Sequence, residues 1–167
     1  MEFNLIFKAI EKIIDSYKKG GKVLICGNGS SAAQSQDMAA NLINRYKINR
    51  KPIECLDLTS NLPMITSIAN DFGFEKIFER QIEAYAKKGD VLIGLSTSGN
   101  SENIINAIKK ARDLDCFTIC LLGKDGGKLK DLCDLSIIVQ SDESSKIQEK
   151  HLSIIHLISE KIEEEFS

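Results

Sequence analysis

Five short runs of β-branched and aliphatic residues recur along this chain, and a helical or turn pattern separates each run from the next. The apolar residues in these runs are nearly continuous instead of alternating with polar ones. This pattern is typical of strands that are buried on both faces of a parallel sheet. We therefore predict five strands, at residues 22–26, 53–58, 90–95, 117–122 and 135–139.

The segments between these strands carry helical periodicity, which predicts helices at residues 3–18, 31–46, 62–69, 74–86, 101–114 and 145–165, with one short turn at 129–133. The β-α-β-α alternation predicts an α/β fold, a three-layer sandwich in which helices flank a five-stranded parallel sheet through right-handed crossovers. We expect the flavodoxin-like strand order 2-1-3-4-5. A length of 167 residues without an internal repeat or a linker fits one domain, residues 1–167.

The composition of the chain indicates which partners and which cellular compartment to expect. Twenty-two Lys and Arg against 24 Asp and Glu give a net charge of −2, so we expect no direct nucleic-acid partner and no membrane partner. The amphipathic N-terminus does not resemble a signal peptide, and no stretch reaches the ~18 apolar residues of a membrane span. The odd number of cysteines, without zinc-site spacing, predicts buried reduced thiols of a cytoplasmic protein: Cys26, Cys55, Cys116, Cys120 and Cys133.

Two Gly- and Ser-rich loops follow the first and third predicted strands. In a sheet of order 2-1-3 these two strands flank the point where the strand order reverses, and ligands of open parallel sheets bind there. The loops read GNGSS at 27–31 and STSGNS at 96–101, each directly before a helix. Glycine allows close approach of the backbone, and a helix N-terminus offers free N–H groups with partial positive charge. Together they predict a phosphate site that needs no Lys or Arg; ordinary Ser-capped turns are the alternative.

Neither loop has a nucleotide-binding pattern. The string GxxxxGK[ST] is absent, and the first loop lacks the third glycine of GxGxxG. A compact phosphorylated metabolite is therefore favoured over a nucleotide.

Five ordered motifs carry a resemblance to a known family: GNGSS at 27–31, SIANDFGF at 67–74, STSGNS at 96–101, LLGKDGG at 121–127 and IQEKH at 147–151. From about residue 16 to its end, the chain resembles the sugar isomerase (SIS) family, and within it the phosphoheptose isomerases. The resemblance implies a homotetramer with active sites at subunit interfaces. It implies an aldose–ketose isomerase that acts on sedoheptulose 7-phosphate through an enediol, in bacterial heptose biosynthesis.

Position by position, the resemblance implies a set of substrate- and phosphate-binding residues: Asn28, Gly29, Ser30, Ser31, Asn70, Asp71, Ser96, Thr97, Ser98, Ser101 and Gln148. His156 matches the family's catalytic histidine and zinc ligand. Arg45 matches an arginine that approaches substrate or forms an interface ion pair. His151, about 140° away from His156 on the same helix, is expected to be structural.

One helix departs from the family pattern His-Phe-Ala-x-Glu, whose His and Glu bind zinc and whose Glu is the base. This chain has Asp37 and Asn41 at those positions, still on one helix face. An Asn cannot accept a proton, so Asp37 is the candidate for a base or a metal ligand. Asp37, Gln148 and His156 are the candidate ligands of one divalent metal, zinc by resemblance. The chain also begins some two dozen residues after the family's usual start, and we expect one helix of the tetramer to be short or absent.

Isomerisation needs a base for the C–H proton and an acid or metal at the carbonyl. His156 can give or take a proton near neutral pH, and Gln148 lies about 80° from it on the predicted helix. We therefore assign catalysis to His156 and Asp37. The Asn41 substitution leaves an alternative open: a catalytically silent SIS module, either a sugar-phosphate sensor or an adaptor of the kind that binds the replication initiator.

Overall fold

The computed structural model describes residues 2–167, with the side chain of Glu2 left out of account. Five strands form one parallel sheet in the order β2-β1-β3-β4-β5, which confirms the predicted fold class and strand order. The strands are β1 Val23–Gly27, β2 Cys55–Asp57, β3 Val91–Ser96, β4 Phe117–Gly123 and β5 Leu135–Val139.

Six helices cover the two faces of the sheet. They are α1 Glu2–Lys18, α2 Ser30–Ile43, α3 Leu62–Phe72, α4 Glu79–Tyr85, α5 Glu102–Asp113 and α6 Ser144–Glu165, and short 3-10 turns lie at Phe74–Lys76 and Lys128–Asp131. One apolar cluster packs α1, α2 and α6 against one face, and a second packs α3, α4 and α5 against the other. The helices that follow the two Gly/Ser loops, α2 and α5, therefore lie on opposite faces of the sheet.

Several predicted elements have different bounds in the structure. The helix predicted at 74–86 is divided into a 3-10 turn and α4. The adjacent residues Ile77 and Phe78 at this break are both 2% exposed and keep helical backbone angles. Helix α2 ends at Ile43 and not at residue 46, because the Arg50 guanidinium donates to the carbonyls of Asn41 and Leu42. Strand β2 has three residues instead of six.

The five cysteines are free, and four of them are buried. Burial raises the pKa of the Cys116 thiol to about 11, so this side chain is an uncharged part of the core near neutral pH. Four of the five cysteines therefore have the expected buried place, whereas Cys133 is partly exposed. Within residues 2–167 no helix is long and apolar enough to cross a membrane.

Candidate active site

The two Gly/Ser loops meet through a pair of asparagine side chains. Asn28 Nδ2 donates to Asn103 Oδ1 at 2.9 Å, and Asn103 Nδ2 returns a bond to Asn28 Oδ1 at 2.8 Å. Asn103 is 2% exposed, so the pair is shielded from water on one side. Because it connects the loop after β1 to the start of α5, it fixes the two predicted phosphate loops against each other.

A cluster of three hydroxyls forms the floor of the second loop. Ser96 Oγ lies 2.9 Å from Ser101 Oγ and 3.5 Å from Ser98 Oγ, and it accepts the Gly99 backbone N–H at 3.1 Å. Ser101 is the N-cap residue of α5, and its side chain makes no cap hydrogen bond, so the hydroxyl stays with the loop. Hydroxyls and helix N–H groups at one place are donors that suit a phosphate.

Gly99 holds this loop in its shape. It has φ +67°, and a side chain there would collide with the backbone of Gly126. The loop after β4 is bonded to the same place, since Leu129 N donates to the Gly99 carbonyl and Lys128 N donates to Asn100 Oδ1, each at 3.0 Å. The Gly-rich loop after β4 thus holds the predicted phosphate loop in place through these two hydrogen bonds.

An open cleft of about 590 Å³ lies where the loops meet, lined by Asn28, Phe74, Glu75, Ser101, Glu102 and Asn103. Asn28 and Ser101 of this lining belong to the predicted phosphate loops, and Asn103 belongs to α5. The two carboxylates of the lining can accept hydrogen bonds from sugar hydroxyls. The lining is suited to a small polar molecule that carries both hydroxyls and an anionic group.

Asp37 and His156 are in direct contact within a single chain. Asp37 Oδ2 lies 3.2 Å from His156 Nε2, and it also accepts a hydrogen bond from Asn41 Nδ2 at 3.1 Å. The two side chains are 42% and 37% exposed, so solvent and small molecules reach them. Because a carboxylate oxygen only accepts, Nε2 carries the proton of this bond, and the other ring nitrogen, Nδ1, is available to another partner.

A polar stripe on α2 connects the phosphate loops to this pair. Ser30, Gln34, Asp37 and Asn41 follow one another at spacings of four, three and four residues, which places them on one helix face. This stripe faces α6, because Gln34 Nε2 donates to the Gln148 carbonyl at 2.8 Å and Asp37 contacts His156. Asp37 lies seven residues after Ser30, about 10 Å along the helix.

The structure brings some predicted site residues together and leaves others apart. Ser31 is buried at the start of α2, whereas Gly29 and Ser30 are exposed there. Thr97 and Gln148 are partly exposed beside this region. Asn70 and Asp71 bond to each other at the exposed end of α3, and no hydrogen bond joins them to the loops within the described residues.

The residues present do not form a zinc site of the usual kind. Structural and catalytic zinc sites use at least three ligands, drawn mainly from Cys, His, Asp and Glu, and no such group of three comes together among residues 2–167. Asp37 and His156 supply two, and their donor atoms are bonded to each other. A divalent metal held by these two residues and Gln148 stays a prediction, which elemental analysis tests.

Three residues that contact predicted site residues are not indicated by the motifs of the sequence. Asn103 pairs with Asn28, Gln34 bonds to the backbone of α6, and the Tyr46 ring lies 5.5 Å from the His156 ring. The four-residue spacing from Ser30 to Gln34 was a usable signal, because it extends the polar face of α2. The partners of Asn103 and Tyr46 lie far away in sequence and leave no such signal.

His151 has the structural place that was predicted for it. It is fully buried, and its Nε2 lies 2.9 Å from the Leu122 carbonyl, so Nε2 donates and the ring is neutral. Burial lowers the pKa of His151 below its ordinary value, although the bond to Leu122 acts in the opposite direction.

A pH-dependent stability follows from His151. Because its pKa is lower in the folded protein, the unfolded chain binds an extra proton once the pH falls below about 6.5, and stability is lost there. His151→Gln keeps a donor for the Leu122 carbonyl but does not titrate. We expect the melting temperature of the unmodified protein to fall relative to that of His151→Gln between pH 7 and pH 5 in calorimetry. A constant difference across this range would contradict the assignment.

Comparisons with known proteins agree with this geometry. The family described as SIS domain matches residues 2–123. Phosphoheptose isomerases of Aliarcobacter butzleri and Helicobacter hepaticus are 49% and 51% identical over 160 residues, which are 96% of this chain and 85% and 82% of those proteins. A solved phosphoheptose isomerase from Francisella tularensis superimposes on this chain with a TM-score of 0.94 at 36% sequence identity. The match covers 96% of this chain and 86% of the Francisella chain. This chain therefore belongs to the SIS domain family, among the phosphoheptose isomerases.

Proposed function

We propose that this chain is an aldose–ketose isomerase that converts sedoheptulose 7-phosphate to a heptose 7-phosphate for heptose biosynthesis in bacteria. Relatives about half identical to it bear the name of this activity. The observation that carries the proposal is the contact between Asp37 and His156 at 3.2 Å, about two helical turns from the Ser/Gly phosphate loops.

The distance between the Ser/Gly loops and the Asp37–His156 pair suits a long sugar phosphate. The phosphate of this ketose is on C7, at the opposite end of the molecule from C1 and C2, where the reaction occurs. If the phosphate binds at Ser96, Ser98 and Ser101 and the chain follows the polar stripe of α2, the reacting carbons extend toward Asp37 and His156. The distance of about 10 Å along α2 would then exclude a short phosphoketose from spanning both.

The acid–base chemistry is assigned to the imidazole. Asp37 holds the Nε2 proton, so Nδ1 of His156 takes a proton from C1, and the carbonyl oxygen on C2 takes a proton from water as it becomes the enediol hydroxyl. The same imidazole then returns a proton to C2, while the C1 hydroxyl gives its proton to water and becomes the aldehyde. Asp37 stabilises the protonated ring in between, as a carboxylate partner of histidine does in other enzymes.

Gln148 is the proposed donor to the carbonyl oxygen. It is partly exposed, two helical turns before His156, and its backbone carbonyl already faces α2 through the bond from Gln34. Its side-chain amide makes no hydrogen bond with the described residues and can donate to the developing oxyanion.

The test is turnover of sedoheptulose 7-phosphate by purified protein, measured as formation of the aldose. We expect turnover of this sugar, less with a pentulose 5-phosphate, and none with unphosphorylated sedoheptulose. The assay is run with and without a chelator: activity that persists supports the pair, and activity that is lost and returns with zinc supports the metal set Asp37, Gln148 and His156. No aldose from any of these sugars under either condition would contradict an isomerase.

Asn41 favours one second candidate, a silent module that binds a sugar phosphate or a protein. Its side chain donates to Asp37 and cannot act as the base that the family carries there. Binding of the sugar phosphate in calorimetry without turnover would establish this function in place of the first.

We also propose that the active form is a homotetramer in the cytoplasm. Phe3 and Phe7 on α1 are 68% and 47% exposed, and Phe3 lines an apolar groove with Ile154 and Leu157 of α6 that a second copy can cover. The five free cysteines are typical of a reducing compartment. Light scattering on the preparation used for turnover gives the mass of the active species.

A further inference from the structure

The segment that follows α2, residues 44–50, places an aromatic ring on the candidate catalytic histidine. The rings of Tyr46 and His156 have their centroids 5.5 Å apart and are inclined by 34°. This contact covers one side of the imidazole, whereas Asp37 contacts its Nε2. The orientation of the His156 ring therefore depends on where Tyr46 is held.

A buried carboxylate holds this segment in place. Glu163 lies seven residues after His156 on the same face of α6 and is only 1% exposed. It accepts three consecutive backbone N–H groups: Tyr46 N at 2.7 Å on Oε1, and Lys47 N at 2.6 Å and Ile48 N at 2.9 Å on Oε2. Three charge-assisted bonds to one carboxylate fix the backbone at Tyr46 directly.

Arg50 completes the arrangement from the other end of the segment. Its Nη2 lies 3.5 Å from Glu163 Oε1, and both side chains are 1% exposed. Its guanidinium also donates to the carbonyls of Asn41 and Leu42, the last turn of α2. The segment is thus tied to α2 through Arg50 and to α6 through Glu163, the same two helices that carry Asp37 and His156.

The carboxylate of Glu163 is charged in this setting. Burial acts to raise its pKa, but the three N–H donors and the Arg50 guanidinium outweigh it and hold the pKa below its ordinary value. A buried, paired charge in a region that could have been apolar contributes little net stability as a rule. Its geometric role therefore needs an explanation other than stability.

We propose that Glu163 and Arg50 are positioning residues, which act through Tyr46 to hold the His156 imidazole in the orientation that proton transfer needs. The expected effect on kcat rests on the proposed function, whereas the expected effect on the orientation of the His156 ring does not. Glu163 touches neither the cleft nor the Asp37–His156 pair, and its hydrogen bonds to residues 46–48 connect it to Tyr46. The neutral Glu163→Gln variant retains the size of the side chain but replaces one acceptor oxygen with an amide.

The test uses a readout that does not depend on turnover. The ¹H–¹⁵N resonances of the His156 ring are recorded for the unmodified protein, Glu163→Gln, Tyr46→Ala and Tyr46→Phe. We expect the first two variants to move these resonances and Tyr46→Phe to leave them close to their original position. Glu164→Gln is the matched control, because Glu164 is the next residue of α6, is exposed and pairs only with Lys161.

If the chain is active, Glu163→Gln and Tyr46→Ala should lower kcat about tenfold or more with KM changed less than twofold, and Tyr46→Phe should restore kcat. Tyr46→Ala keeps the proposal testable should Glu163→Gln fail to fold, because Tyr46 is only partly buried and is not part of the apolar core. Unchanged His156 resonances in Tyr46→Ala would overturn the proposal whether or not the protein isomerises a sugar. Shifted resonances in a protein without turnover would overturn the proposed function alone.

Discussion

Replacing His156 with alanine is expected to lower kcat for sedoheptulose 7-phosphate by about 10³-fold or more, with little change in KM. General acid–base catalysis by one side chain contributes roughly 10²–10⁴-fold, and this imidazole is assigned both proton transfers. It is hydrogen-bonded to Asp37 and packed against Tyr46, and neither of these residues belongs to the Gly/Ser loops that are proposed to bind the phosphate. The loss should therefore fall on the chemical step, which steady-state kinetics separates from binding.

Ser153→Ala is the matched control for this prediction. Ser153 lies one turn earlier on α6, is exposed and bonds only to the Glu149 carbonyl. It should leave kcat within twofold of the original value. If His156→Ala keeps more than a tenth of the activity, His156 is not the group that transfers the protons.

The second large effect is expected for Gly99→Ala. A side chain at this residue would collide with the Gly126 backbone, which no rotamer change relieves, and φ +67° is unfavourable for alanine as well. The hydroxyl cluster of Ser96, Ser98 and Ser101 is built around the Gly99 N–H, so the phosphate site should be displaced. We expect kcat/KM to fall about hundredfold and the melting temperature to drop.

Gly20→Ala provides the matched comparison. Gly20 also has a positive φ, +81°, but a side chain there meets nothing within 4 Å, and it lies in the turn between α1 and β1. Its substitution should cost about 1–2 kcal/mol of stability for the backbone conformation and leave kcat/KM unchanged. Equal effects of the two variants on kcat/KM would show that the collision at Gly126 does not shape the phosphate site.

Much of the fold could be read from the sequence because its signals are local. Continuous apolar runs mark the buried strands β1 and β3, and the Gly/Ser loops after them mark the place where the strand order reverses. The end of α2 was not predictable in this way. It depends on Arg50, which reaches back nine residues to the Asn41 carbonyl.

The candidate site was only partly predictable for the same reason. The residue types at Asp37 and His156 pointed to acid–base chemistry, and the spacing of α2 placed Asp37 and Asn41 on one face. Their contact across 119 residues, the Asn28–Asn103 pair and the bonds of Glu163 to residues 46–48 join segments that are distant in sequence. The packing of α6 against α2 brings Asp37 to His156, and the pairing of β1 with β3 brings the Asn28 loop beside α5, which carries Asn103.

The most direct measurement of the central claim follows hydrogen at the reacting carbons. Sedoheptulose 7-phosphate is incubated with the protein in D₂O, and both sugars are examined by NMR. Because the Asp37–His156 pair is partly exposed, its protons exchange with solvent, so deuterium should enter C1 of the recovered ketose and C2 of the aldose. His156→Ala should abolish this incorporation. An unmodified protein that places no deuterium in either sugar would contradict proton transfer by this pair.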